Sequence, residues 1–83
     1  MEIKLKIHTL EKRYDFGTVR IENGKNVKEC VDYILDMYEQ INLPDTTKLF
    51  QYSIIHINSK IADKHSTIKD GDKVMITPQI KDG

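Results

Sequence analysis

The chain has 83 residues, 39% of them hydrophobic, and its 13 Lys and Arg balance 13 Asp and Glu for zero net charge. That length predicts one domain, 1–83, with a limited core. The balanced charge removes the general field that would draw the molecule to nucleic acid or to an anionic membrane.

A single cysteine, Cys30, excludes an internal disulfide and a cysteine-ligated zinc centre. No stretch approaches the ~18 apolar residues of a membrane span. The opening "MEIKLKIHTL" alternates charge with aliphatic residues, unlike a signal peptide. The expectation is a soluble, cytoplasmic domain.

Ile3, Leu5 and Ile7 alternate with Lys4, Lys6 and His8, the period of a strand with one buried face. "EKRYDFG" reads as a turn, with Gly17 supplying a positive φ, and "TVRIE" resumes the alternation to complete a hairpin. Asn23-Gly24 ends that strand. From Val27 the period changes: Val27, Cys30, Val31, Ile34, Leu35, Tyr38 and Ile41 form a helical stripe. Asn26 caps it, Glu29 completes a capping box, and Pro44 closes the region, giving a helix over about 27–40.

"LPDTTKLF" reads as a connector and "FQYSIIHIN" as a third strand with Ile55 and Ile57 inward. One short strand near Ile61 follows, then the turn Asp70-Gly71-Asp72. "KVMIT" alternates with Val74 and Ile76 inward, and Pro78 ends the pairing, leaving 78–83 as a flexible tail. An α+β mixed sheet of four to five strands, with one helix on one face, buries these stripes economically. With the first and last strands adjacent and parallel, the arrangement is the ubiquitin-like β-grasp.

The last third also carries a family pattern. Ile57-Asn58, Thr67-Ile68, Asp70-Gly71-Asp72, Val74 to Ile76, Pro78 and Gly83 resemble the small sulfur carriers, MoaD (the molybdopterin synthase small subunit) and ThiS, and are closer to MoaD. Gln79 stands where a second Pro is common in MoaD proteins, and Asp82 where the penultimate Gly belongs. The resemblance implies a carrier rather than an enzyme. Its Gly83 carboxylate would be adenylated and converted to a thiocarboxylate by an E1-like adenylating enzyme, and the sulfur delivered to a synthase large subunit. It implies no cofactor.

The residues themselves offer no catalytic alternative. Asp70-Gly71-Asp72 lacks the further carboxylates of a calcium loop and reads as a turn bonding nearby amides. Cys30 sits on the apolar stripe as a small core residue, and His8, His56 and His65 lack metal-ligand spacing. On the face opposite Ile55, Ile57, Val74 and Ile76, the side chains of Tyr52, Ile54, Met75 and Thr77 would form a patch at the root of the tail. Lys6 and His8 would flank it, and Pro78 would lead out of it. Two functions compete: a sulfur carrier acting through Gly83, and a ubiquitin-like binding module acting through this patch.

Overall fold

The computed structural model describes residues 1–37 and 46–79. Tyr38, Ile41 and Pro44, expected at the end of the helix, and Asp82 and Gly83 at the tail tip, lie outside them.

Among the described residues the elements are, in order, β1 (Glu2–His8), β2 (Arg13–Arg20), α1 (Val27–Met37), α2 (Thr46–Gln51), β3 (Ser53–Ile57), β4 (Lys60–Ala62) and β5 (Lys73–Pro78). The strands form one sheet in the order β2-β1-β5-β3-β4. β1 and β5 run parallel at its centre, and every other pairing is antiparallel. Ile3, Leu5 and Ile7 of β1, Ile55 of β3, and Val74 and Ile76 of β5 turn to one face and are buried there. Val27, Cys30, Val31 and Ile34 of α1 share that core. Leu35, expected within the stripe, lies at its margin and is only partly buried.

The capping box forms as expected. Asn26 Oδ1 accepts the Glu29 N–H at 2.9 Å, and Glu29 Oε1 accepts the Asn26 N–H at 3.2 Å. Two further first-turn amides, of Val27 and Lys28, donate to the carbonyls of Ser66 and Lys64. The loop before β5 thereby satisfies donors that every helix start leaves open, and it delivers Ile68 into the core.

Three boundaries differ from the sequence expectation. The hairpin between β1 and β2 closes at Thr9–Lys12, where Thr9 Oγ1 accepts the amides of Glu11 and Lys12 at 3.3 and 3.0 Å. "EKRYDFG" is therefore largely strand, and Gly17 (φ 65) lies within β2. Its positive φ serves a bulge: Leu5 pairs with Gly17 and Lys6 with Asp15, so the register shifts by one residue at Phe16. The second difference is α2, in place of a connector and the start of a strand; it sets Leu49 into the core. Third, Pro78 is the last residue of β5, paired with Ser53, and the Gln79 N–H donates to the Tyr52 carbonyl at 2.9 Å. Alternate residues of β5, from Lys73 to Gln79, face β3, so the Pro78 nitrogen points away from that strand and its missing N–H costs the ladder no bond.

The Asp70-Gly71-Asp72 turn ties strand ends together. Asp70 Oδ1 accepts the Glu2 N–H at 2.6 Å, and the Gly71 N–H donates to the Glu2 carbonyl. Asp72 accepts from the Lys69 N–H and from Asn58 Nδ2, both at 2.8 Å. Asn58 Oδ1 in turn accepts the Lys73 N–H at 2.9 Å. The starts of β1 and β5 and the end of β3 are thus held as one corner.

Candidate functional site

Because β1 and β5 are parallel, both finish at the same end of the sheet, and antiparallel β3 begins there. That topology assembles the expected patch. Ile54 pairs with Thr77 across β3 and β5, and Met75 sits between Lys6 of β1 and His56 of β3. Ile54, Met75, Thr77, Pro78 and His8 are all half-buried, as suits a sheet face with no second layer upon it. Tyr52 is 60% exposed beside the point where Gln79 leaves the sheet. Gln79 therefore stands where β5 ends, beside Tyr52.

Two apolar residues of this region escaped the sequence reading. Ile61 of β4 pairs with His56 and is 79% exposed, extending the row that runs from Lys6 through Met75 and His56. Its signal was present: Asn58-Ser59 as a two-residue turn fixes Ile61 opposite His56 and so on the open face. Leu10, 85% exposed at the β1–β2 hairpin tip, stands at the same end of the sheet as the tail root. An isolated Leu in a polar turn carries no periodicity, so nothing in the sequence singled it out.

The remaining candidates are structural. Cys30 is fully buried, and burial, with Glu29 nearby, pushes its thiol up to about 11. A thiol so raised supplies almost no thiolate near neutrality. Lys28 is raised by its hydrogen bond to Asp32, at 2.9 Å, an exposed pair one helical turn apart. Among the described residues no group of three or more His, Cys, Asp or Glu could hold a metal. A concavity of about 460 Å³ lies at the far end of β2, lined by Arg20, Ile21, Glu22, Lys25, Glu29 and Tyr33. Its cations are already engaged, Arg20 with Glu2 and Lys25 with Glu22 and Glu29, so no charge is left to select a ligand.

Comparison with solved structures fits the topology. SAMP1 from Haloferax volcanii superposes with a TM-score of 0.71 over 100% of both chains, at 13% identity. This chain has the ubiquitin-like β-grasp fold. A ubiquitin-like protein from the hyperthermophilic archaeon Caldiarchaeum subterraneum superposes with a TM-score of 0.52, at 14% identity, over 99% of this chain and 100% of its own. No family model and no curated protein sequence matches the chain. At such identities the likeness establishes the β-grasp itself. Here the last strand, β5, is central, so Gln79 at its end lies mid-sheet rather than at an edge.

Proposed function

We propose that this β-grasp protein is a sulfur carrier, closer in kind to MoaD than to ThiS, acting through a C-terminal carboxylate at Gly83. The supporting observation is that the central strand β5 ends at Pro78 and Gln79, beside Tyr52, Ile54 and Thr77. A partner docked on that face would lie where the tail could enter its active site. An E1-like enzyme would transfer AMP from ATP to the Gly83 carboxylate, releasing pyrophosphate. A sulfur donor would then displace AMP to leave the thiocarboxylate, which a synthase large subunit would consume. The chain itself supplies a carboxylate and a docking face, and no catalytic group.

Asp82 favours a second reading, a binding module without carrier chemistry. Adenylation brings the terminal carboxylate against the α-phosphate of ATP. A second carboxylate one residue back adds bulk and like-charge repulsion, unless the partner supplies a cation. The experiment is intact-chain mass spectrometry after incubation with ATP, a sulfur donor and an E1-like enzyme from a Gly-Gly carrier system. Carrier function predicts replacement of one oxygen by sulfur, faster in Asp82→Gly than in the natural chain. Conversion of neither chain, by this enzyme or by one bearing a Lys or Arg opposite Asp82, would leave the binding module as the function.

A further inference from the structure

The open sheet face is more basic than the neutral chain as a whole. Alternation along β1 puts Lys4 and Lys6 opposite the buried Ile3, Leu5 and Ile7, and the register sets Lys73 directly beside Lys4. Lys6 reaches Asp15 at 4.0 Å and Arg20 reaches Glu2 at 3.0 Å. Lys4, Lys73 and Arg13 have no ion-pair partner among the described residues. Like charges side by side on adjacent strands are unfavourable for the sheet, so the fold gains nothing from the Lys4–Lys73 neighbours. Next to this cationic half, β5, β3 and β4 contribute a mainly aliphatic strip of Met75, Ile54 and Ile61, with His56 between Met75 and Ile61.

From this juxtaposition we infer that the open face docks a protein surface rich in carboxylates around an aliphatic contact, its acids facing Lys4, Lys73 and Arg13. The inference rests on reading that face as a docking surface and adds the chemistry of the partner. A nucleic acid fits less well: the strip is mainly aliphatic, and the one aromatic ring on β1 and β5 is the imidazole of His8. Complementary charge of this kind mainly speeds and orients association, and weakens as salt rises.

The test uses the unactivated full chain, so its outcome is independent of sulfur loading. The probe is a synthetic peptide of roughly 12 residues alternating Glu and Leu, long enough to cross five strands ~4.8 Å apart. Its counterpart with Lys for Glu and an oligothymidylate serve as comparisons. Amide shifts in ¹⁵N spectra should saturate at Lys4, Lys6, Lys73, Met75 and Ile54 with the Glu-Leu peptide. Affinity should drop about tenfold or more from low to moderate salt, and by a similar factor in Lys4→Glu/Lys73→Glu, which should gain affinity for the Lys-Leu peptide. If that double variant loses its dispersed spectrum, Lys4→Gln and Lys73→Gln carry the comparison, each expected to lower affinity. No saturable shift, shifts centred on α1, equal affinity for the Lys-Leu peptide, or tighter binding of the oligonucleotide would each overturn the inference.

Discussion

At the scale of single residues, the motif that suggests a sulfur carrier divides into parts with different work. Asn58, Asp70 and Asp72 are each accounted for by hydrogen bonds that close the corner between β1, β3 and β5. They mark the fold, and carrier chemistry must be sought beyond Gln79. Asn58 and Ser59 both adopt positive φ, 52 and 70, as the two central residues of the β3–β4 turn. Asn58 is held there by the bonds of its side-chain amide to Asp72 and Lys73, whereas Ser has less to offset the crowding of its Cβ, worth roughly 1–2 kcal/mol in the left-handed region. Glycine at the second turn position relieves it. Ser59→Gly should therefore raise stability by about 1 kcal/mol, seen as a melting temperature higher by roughly 4–8 °C in a domain of this size. A lower melting temperature would show that the Ser59 side chain contributes more than its backbone costs.

At the scale of elements, legibility followed the regularity of burial. β1 and β5 were plain because one face is buried without interruption, so every second residue is aliphatic. β2 was half read for a physical reason. Tyr14 and Phe16 lean on the core before the bulge, their rings stacked 6.4 Å apart, while Val19 and Ile21 do so after it. One extra residue flips the parity, so the alternation seems to begin only at Thr18. α2 spans six residues, too few for a helical period to show, and its place depends on the tertiary pocket that takes Leu49. α1 was legible from its stripe and cap, although Val27, Val31 and Ile34 are β-branched and poor helix formers. Its stability must come mostly from packing. Ile34→Ala, at a fully buried position, should cost about 2–5 kcal/mol. Leu35→Ala, at the stripe's margin, should cost about 1–2 kcal/mol, in proportion to the smaller apolar area it removes from water. Denaturant midpoints that ranked the two the other way would place the helix in the wrong rotation.

The open face shows the same limit. Strand parity made part of it readable: Ile54 pairs with Thr77, and Met75 lies between Lys6 and His56. The extension to Ile61 and the Lys4–Lys73 neighbours required the register, which no local pattern supplies. Overall charge balance concealed the asymmetry: Lys4, Lys6, Arg13, Arg20 and Lys73 share the open face with the acids Glu2 and Asp15, while α1 carries Glu29, Asp32 and Asp36.

At the scale of the whole molecule, the two parallel strands at the centre of the sheet are the first and last of the described elements. Their pairing closes a loop of nearly the full length, an entropy cost that grows slowly with length but falls on a single event. Every bond between the Asp70-Gly71-Asp72 turn and β1 can form only when that closure is made. Asp70 and Asp32 then make a direct comparison, since both are surface aspartates with one short contact each. Asp70 Oδ1 accepts the Glu2 N–H across 68 positions, whereas Asp32 meets Lys28 across four. The first is a charge-assisted bond to a backbone amide that has no freedom to leave. The second joins two exposed side chains, and such pairs contribute about 0.3–0.5 kcal/mol. Asp70→Ala should accordingly lower stability by about 1 kcal/mol or more, since a hydrogen bond to a charged group is worth about 1.5–3 kcal/mol before solvent exposure reduces it. Asp32→Ala should lie within about 0.5 kcal/mol of the natural chain. Urea denaturation of the three proteins separates these values, with the slope checked to be unchanged so that the midpoints report stability alone. If the two variants unfold at the same midpoint, the corner does not hold the chain ends together, and the parallel pairing of β1 with β5 would have to rest on the core beneath it.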